Sequence, residues 1–169
     1  MSIGFIGCGN MAGAILSGLL KSKTVKAKEI NVFDIYSPAV SKLKSQYEIN
    51  ACENESDVVS KSDIVILAVK PNVLLSVLEK ISKAVKERNP LLISIAAGKT
   101  TGYIAEPLSS KTRIIRVMPN INAKVGEAIC AYTANSYATD EDKALTEKIF
   151  NSVGEVIYLD ESFFPLFGV

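Results

Sequence analysis

The 169-residue chain contains no histidine, which removes the commonest general acid–base and the commonest neutral metal ligand. Any chemistry must therefore come from a cofactor or from lysine, tyrosine, serine, cysteine or carboxylate side chains. Cysteine is scarce as well. Cys8, Cys52 and Cys130 are too few and too scattered for a disulfide framework or a zinc site. Cys8 is expected to be inert, and Cys52 and Cys130 to be core residues. Net charge is also missing: 19 basic against 18 acidic residues leave +1, no field to gather nucleic acid or an anionic membrane. No apolar run approaches the roughly 20 residues needed to cross a bilayer. The start, Met1-Ser2, has no basic stretch behind it and the apolar residues that follow are cut by glycines, so a signal peptide is not expected. The expected location is the cytosol, with no nucleic-acid or membrane partner.

Hydrophobic residues make up 48% of the chain and charged ones 22%, the balance of an ordinary globular protein with one full core. The hydrophobic period changes repeatedly along it. Short buried-strand runs read at Ile3–Ile6, Ile30–Phe33, Ile64–Val69, Leu91–Ile95 and Arg113–Val117, with a weaker one at Ile49–Cys52. Helical stretches at Met11–Lys21, Pro38–Tyr47, Asp57–Lys61, Val73–Lys86 and Thr101–Leu108 separate them. This alternation predicts a doubly wound, mostly parallel α/β sheet of the Rossmann type, covered on both faces. After Val117 only about nine residues precede the next strand run, Ala128–Thr133, too few for a parallel crossover, so an antiparallel pair is expected. A helix over Asp140–Asn151, with Thr139 as its N-cap, then leads to a last strand at Val156–Leu159. The sheet therefore gains a short antiparallel extension at its C-terminal end.

The strongest motif is Gly7-Cys8-Gly9-Asn10-Met11-Ala12, a G-x-G-x-x-A run directly after a strand and opening a helix. Gly7 makes the tight turn, Gly9 lets backbone N–H groups approach a pyrophosphate, and Ala12 lets the helix pack closely. Asn10 and Met11 belong to the same cradle, at the helix end whose dipole attracts negative charge. In this context the run is a dinucleotide fingerprint. Asp34 ends the second strand about 22 residues further on, where a carboxylate takes the ribose 2′-OH and repels a 2′-phosphate, favouring NAD(H). Its other reading is a turn aspartate before Ser37-Pro38; Lys42 is a nearby cation.

Three further runs end strands on the ligand-binding edge of such sheets. Ala68-Val69-Lys70-Pro71 offers backbone to a cofactor, Pro71 stiffening the loop. Lys70 reads either as a catalytic amine or as a solvated lysine. Ala96-Ala97-Gly98 is small enough for a nicotinamide ring to lie against backbone, or is a simple strand-to-helix turn. Asn120, in Met118-Pro119-Asn120, has the donor and acceptor to meet a carboxamide or an imine, or belongs to an ordinary turn.

Taken in order, Ile3–Ala12, Leu67–Pro71, Ser94–Gly98, and Arg116–Asn120 with Val125-Gly126 resemble the pyrroline-5-carboxylate reductase family over essentially the whole chain. The resemblance implies NAD(P)H-dependent reduction of the cyclic imine 1-pyrroline-5-carboxylate to L-proline, an oxidoreductase reaction at a C=N bond. It implies that Gly7–Ala12 hold the pyrophosphate, that Val69–Pro71 and Ala96–Gly98 line the nicotinamide half, and that Asn120 closes the pocket. Asn54 is placed, by looser similarity, at the adenosine. The alternatives are another nicotinamide-dependent imine reductase or hydroxyacid dehydrogenase, and a non-catalytic cofactor-binding relative.

Departures from the family pattern are confined to two places. Ile121-Asn122 stand where Thr-Pro is usual, and Pro165 and Gly168 where an Asp and a Thr are usual. The last residues hold Phe163, Phe164 and Phe167, read either as a tail folded on its own core or as the start of a second hydrophobic domain. With the resemblance the second reading is expected. Residues 1–160 are then the NAD(P)-binding domain, and 161–169 open a helical substrate and dimerisation domain that is missing here. The fragment alone is expected to bind cofactor and be inactive, and the full-length protein to be a homo-oligomer.

Overall fold

The computed structural model describes residues 1–119 and 127–167. Eight strands form one sheet: β1 Ile3–Ile6, β2 Ile30–Phe33, β3 Asn50–Ala51, β4 Ile64–Leu67, β5 Leu91–Ser94, β6 Ile114–Met118, β7 Ala128–Ala134 and β8 Gly154–Tyr158. Their order is β3-β2-β1-β4-β5-β6-β7-β8. The first six run parallel, β7 is antiparallel to β6, and β8 is parallel to β7. This is the expected doubly wound Rossmann-type sheet with its antiparallel extension.

The helices are α1 Asn10–Lys21, α2 Ser37–Gln46, α3 Glu55–Ser60, α4 Leu74–Arg88, α5 Thr101–Ala105, α6 Asp140–Phe150 and the short α7 Phe164–Phe167. Side chains alternate across each strand and so divide the core in two. Ile3, Phe5, Ile64, Ile66, Ile115 and Val117 pack with Ile15, Leu16 and Leu19 of α1 and Phe150 of α6. Ile6, Val65, Leu67, Leu92 and Ile114 pack with Val58 and Val59 of α3 and Leu74, Leu78 and Ile81 of α4 on the other face. Both faces of the sheet are buried, which is why the strand runs are continuously apolar.

Several boundaries shift from expectation for local reasons. β4 ends at Leu67 rather than Val69, because β1 leaves the sheet at Gly7, whose φ of +100° removes the partner strand. α3 begins two residues early, at Glu55, because the Asn54 side chain accepts the Asp57 N–H and caps it. α5 stops at Ala105 instead of Leu108: Glu106 still has helical backbone, but Pro107 after it has no N–H to continue the ladder. β8 starts at Gly154, paired with Ala128, two residues before the apolar run.

Register decides where a site can form. Ile6 of β1 is level with Phe33 of β2 and with Leu67 of β4, so three strands end flush. The connections from β1 go one way to β2 and those from β4 the other way to β5, which leaves a crevice between the C-terminal ends of β1 and β4.

Candidate functional site

Gly7 is the first residue past β1 and is held there by its N–H, donated to the Phe33 carbonyl at 2.8 Å. A Cβ on Gly7 would lie 2.5 Å from the Ala68 carbonyl oxygen, so only glycine lets the turn pass over the end of β4. Gly9 is different. It caps α1 in extended conformation, and nothing of the protein lies within 4 Å of where its Cβ would be. Its missing side chain therefore leaves free space rather than relieving an internal contact.

The first intrahelical bond of α1 is donated by Gly13 to Gly9 at 2.9 Å, leaving the Asn10, Met11 and Ala12 N–H groups ahead of it in the first turn. That turn contains no acidic residue. Unopposed amide donors and the positive end of the helix dipole thus face the crevice, which suits a diphosphate. Ala12 is buried and keeps α1 close to the sheet.

Asp34, one residue past β2, has both carboxylate oxygens engaged. Oδ2 accepts the Cys8 N–H at 2.7 Å and Oδ1 accepts the Tyr36 N–H at 2.8 Å. The second bond is the turn expected of an aspartate before Ser37-Pro38; the first reaches across into the glycine loop and ties the two connections together. Cys8 itself is buried in this loop. Burial, and then the Asp34 charge, push its thiol up to about 12, so it stays protonated and unreactive.

Two recesses open along the crevice. One, about 160 Å³, lies between Gly7, Phe33, Asp34 and Ile35 on one side and Val69, Val73 and Val77 on the other. Ser76, Glu55 and Lys80 border it, the last two joined by an ion pair of 3.0 Å. Its walls are apolar with a polar rim. The second, a groove of about 320 Å³, runs past Gly9, Asn10, Met11 and Ala12 to Ala68, Val69, Lys70 and Pro71. It ends on Ile95, Ala96, Ala97 and Pro119. The glycine loop separates the two recesses.

Of the residues picked out in the sequence, the second groove gathers Gly9, Asn10, Met11, Ala12, Ala68, Val69, Lys70, Pro71, Ala96 and Ala97. Gly7, Asp34 and Val69 border the first. Lys70 is exposed. Gly98, with φ +71°, makes the turn beyond Ala97 and lines neither recess. Asn54 lines neither recess; it caps α3, and its neighbour Glu55 borders the first recess instead. Asn120, with Ile121, Asn122, Val125 and Gly126, lies outside the described residues. Val73, Ser76, Val77 and Lys80 had no motif to mark them, because their nearness to Asp34 depends on how α4 crosses the sheet. Among the described residues no group of three potential metal-ligating side chains occurs, and no helix is long and apolar enough to cross a membrane.

Residues 2–98, which carry the loop, the Asp34 turn and the ends of β4 and β5, match the family model described as NADP oxidoreductase, coenzyme F420-dependent. The chain belongs to this family. It is 39% identical over 168 residues to the pyrroline-5-carboxylate reductase of Escherichia coli strain K12. That alignment covers 99% of the chain and 62% of the relative, so the chain spans less than two thirds of the length of this curated relative. Among solved structures, a pyrroline-5-carboxylate reductase from Coxiella burnetii is 31% identical with a TM-score of 0.90, covering 95% of this chain and 59% of the other. A Plasmodium falciparum pyrroline carboxylate reductase solved with NADP bound is 29% identical, with a TM-score of 0.85 over 96% of this chain and 59% of the other. The family resemblance expected from the motifs is therefore supported along the chain, not only at the glycine loop.

Proposed function

We propose that this chain is the cofactor-binding part of an NAD(P)H-dependent reductase that converts 1-pyrroline-5-carboxylate to L-proline. The observation that carries the reading is the row of surfaces along the crevice: an apolar recess beside Asp34, a helix mouth with unopposed N–H groups, and a small-residue groove ending at Ala96-Ala97. That sequence of surfaces matches adenosine, diphosphate and nicotinamide in turn. The similarity to reductases of this name, one of them solved with NADP bound, supports the choice of cofactor and substrate.

A dinucleotide held in this crevice would supply hydride chemistry for the substrate's C=N bond. The chain's residues supply position and electrostatics. Asn10, Met11 and Ala12 donate N–H groups towards the diphosphate. Asp34 holds the loop through Cys8 and stands where the ribose hydroxyls arrive. Ala68–Pro71 and Ala96-Ala97 would line the nicotinamide half, and the family resemblance gives Asn120 the role of closing the pocket. Asn54 is kept as a neighbour of the adenosine through the turn it shares with Glu55, and Gly98 as the residue that lets the Ala96-Ala97 wall turn away. A reaction of this kind needs no histidine.

The reading places substrate-carboxylate binding and dimerisation in a helical part that begins at residue 161, in keeping with the longer relatives, and assigns the whole enzyme to the cytoplasm as a homo-oligomer. Phe163 and Leu166, 53% and 74% exposed, are the apolar surface that such a part would cover. The test has two parts. Reduced NADH and NADPH titrated into this chain should show enhanced, blue-shifted nicotinamide emission. A full-length protein containing it should reduce pyrroline-5-carboxylate while the 169-residue chain alone does not. Tight cofactor binding with no reduction by the full-length protein discards the substrate assignment.

A further inference from the structure

Glu161, in the 3-10 turn Glu161–Phe163 after β8, is joined to two distant elements at once. Its Oε1 accepts the Thr101 N–H at 2.8 Å and Oε2 accepts the Thr101 hydroxyl at 2.8 Å. The same Oε1 lies 3.2 Å from Nη1 of Arg116. Arg116 is buried in β6, and its guanidinium lies 4.4 Å over the ring of buried Phe164. An arginine so placed needs a counter-charge, and Glu161 is that charge. The carboxylate therefore has little freedom: three hydrogen bonds and a buried partner specify its position.

Both elements it grips lead into the nicotinamide groove. Thr101 opens α5, four residues after Ala97, which forms one wall. Arg116 is three residues before Pro119, which forms the end of the groove. Glu161 borders neither recess. We propose that Glu161 is a positioning residue for the nicotinamide half of the site, setting the separation of the Ala96–Ala97 wall and Pro119 by holding Thr101 and Arg116 in one cluster. It rests on the cofactor reading above and adds to it that the segment after β8 controls one half of the crevice and leaves the other half alone. The adenosine recess and the glycine loop are built from the ends of β1, β2 and β4 and from α1, α3 and α4, and the hydrogen bonds of Glu161 go to Thr101 and Arg116 instead.

The division makes the idea testable with ligands that differ only in the nicotinamide. NADH and NADPH are titrated beside ADP-ribose and 2′-phospho-ADP-ribose, into the wild-type chain and into Glu161→Gln and Glu161→Ala. Both variants should bind the complete dinucleotides about five- to tenfold more weakly, with a reduced blue shift of the nicotinamide emission, while the ADP-ribose fragments change by less than about twofold. Unchanged fragment binding also shows that the variants are folded. Equal loss for fragment and dinucleotide, or no loss for either, overturns the positioning role while leaving the cofactor reading intact. A wild-type chain that binds none of the four ligands overturns both.

Discussion

Gly7 and Gly9 are two residues apart and do opposite things. At Gly7 the backbone is left-handed and a Cβ would strike the Ala68 carbonyl. Gly7→Ala should therefore destabilise the fold by about 1–3 kcal/mol, seen as a lowered urea midpoint with or without ligand. At Gly9 the protein has room for a methyl group, and only a ligand would meet it. Gly9→Ala should leave thermal stability near wild type and weaken NADH and NADPH binding by about tenfold or more. A normal affinity for Gly9→Ala would mean that the diphosphate does not pass over this loop. Asp34 has two duties, the tie to Cys8 and Tyr36 and the proposed contact with the ribose. Asp34→Ser should weaken both nucleotides through the loosened loop, and NADH more than NADPH because the 2′-phosphate is no longer repelled. An unchanged ratio of the two dissociation constants assigns Asp34 to the turn alone.

At the scale of elements, α6 shows how a helix outside the site is fixed. Thr139 caps it, its side chain accepting the Asp142 N–H at 3.1 Å while Asp142 accepts the Thr139 N–H at 2.9 Å. Asp142 is almost fully buried and also takes Arg113 Nη1 at 2.7 Å, joining the start of α6 to the strand entering β6. Thr139→Ala removes one cap bond and should cost about 1 kcal/mol. Asp142→Asn leaves the guanidinium without its counter-charge and should cost about 3 kcal/mol. Chemical denaturation of the two variants measures the difference, and equal losses would show that the ion pair adds nothing to the capping box. Thr139 as N-cap was legible from the chain, because the S/T-x-x-D/E pattern is local. The burial of Asp142 was not, since it depends on Arg113, 29 residues away.

For the whole molecule, the two core faces share a single sheet, so they should melt together. Leu16→Ala on the α1 face and Leu78→Ala on the α4 face are each fully buried truncations and should each cost about 2–5 kcal/mol within one transition. Two separated transitions in either variant would mean that the faces fold independently. Acid acts elsewhere. Asp63 joins the N-terminal segment to the end of α4: it accepts the Ser2 N–H at 2.9 Å and the Ser2 hydroxyl, and pairs with Arg88 at 2.6 Å. These partners, the Ser2 backbone bond foremost, hold its carboxyl below the ordinary value. A lowered folded-state pKa stabilises above about pH 4 and is lost as the pH falls through the lowered value. Asp63 is about half exposed, so the contribution is about 1 kcal/mol or less. Asp63→Asn should be slightly less stable at neutral pH and lose less stability between neutral and acid pH than wild type. A parallel acid curve would assign the pH dependence to other carboxylates.

Alternating strand and helix periods, the glycine spacing after β1 and the short step between β6 and β7 are properties of neighbouring residues. They determined the sheet type, the antiparallel addition and the position of the glycine loop at the mouth of α1 without reference to distant parts of the chain. What only the tertiary structure decided were meetings between residues far apart in sequence. These include the tie from Asp34 to Cys8, the recess that α4 completes beside it, and the Glu161 cluster spanning β6, α5 and the turn after β8. The physical reason is range: backbone preference and hydrophobic period act over a few residues, whereas a buried charge takes whichever partner the packing of the sheet brings within 3 Å or so.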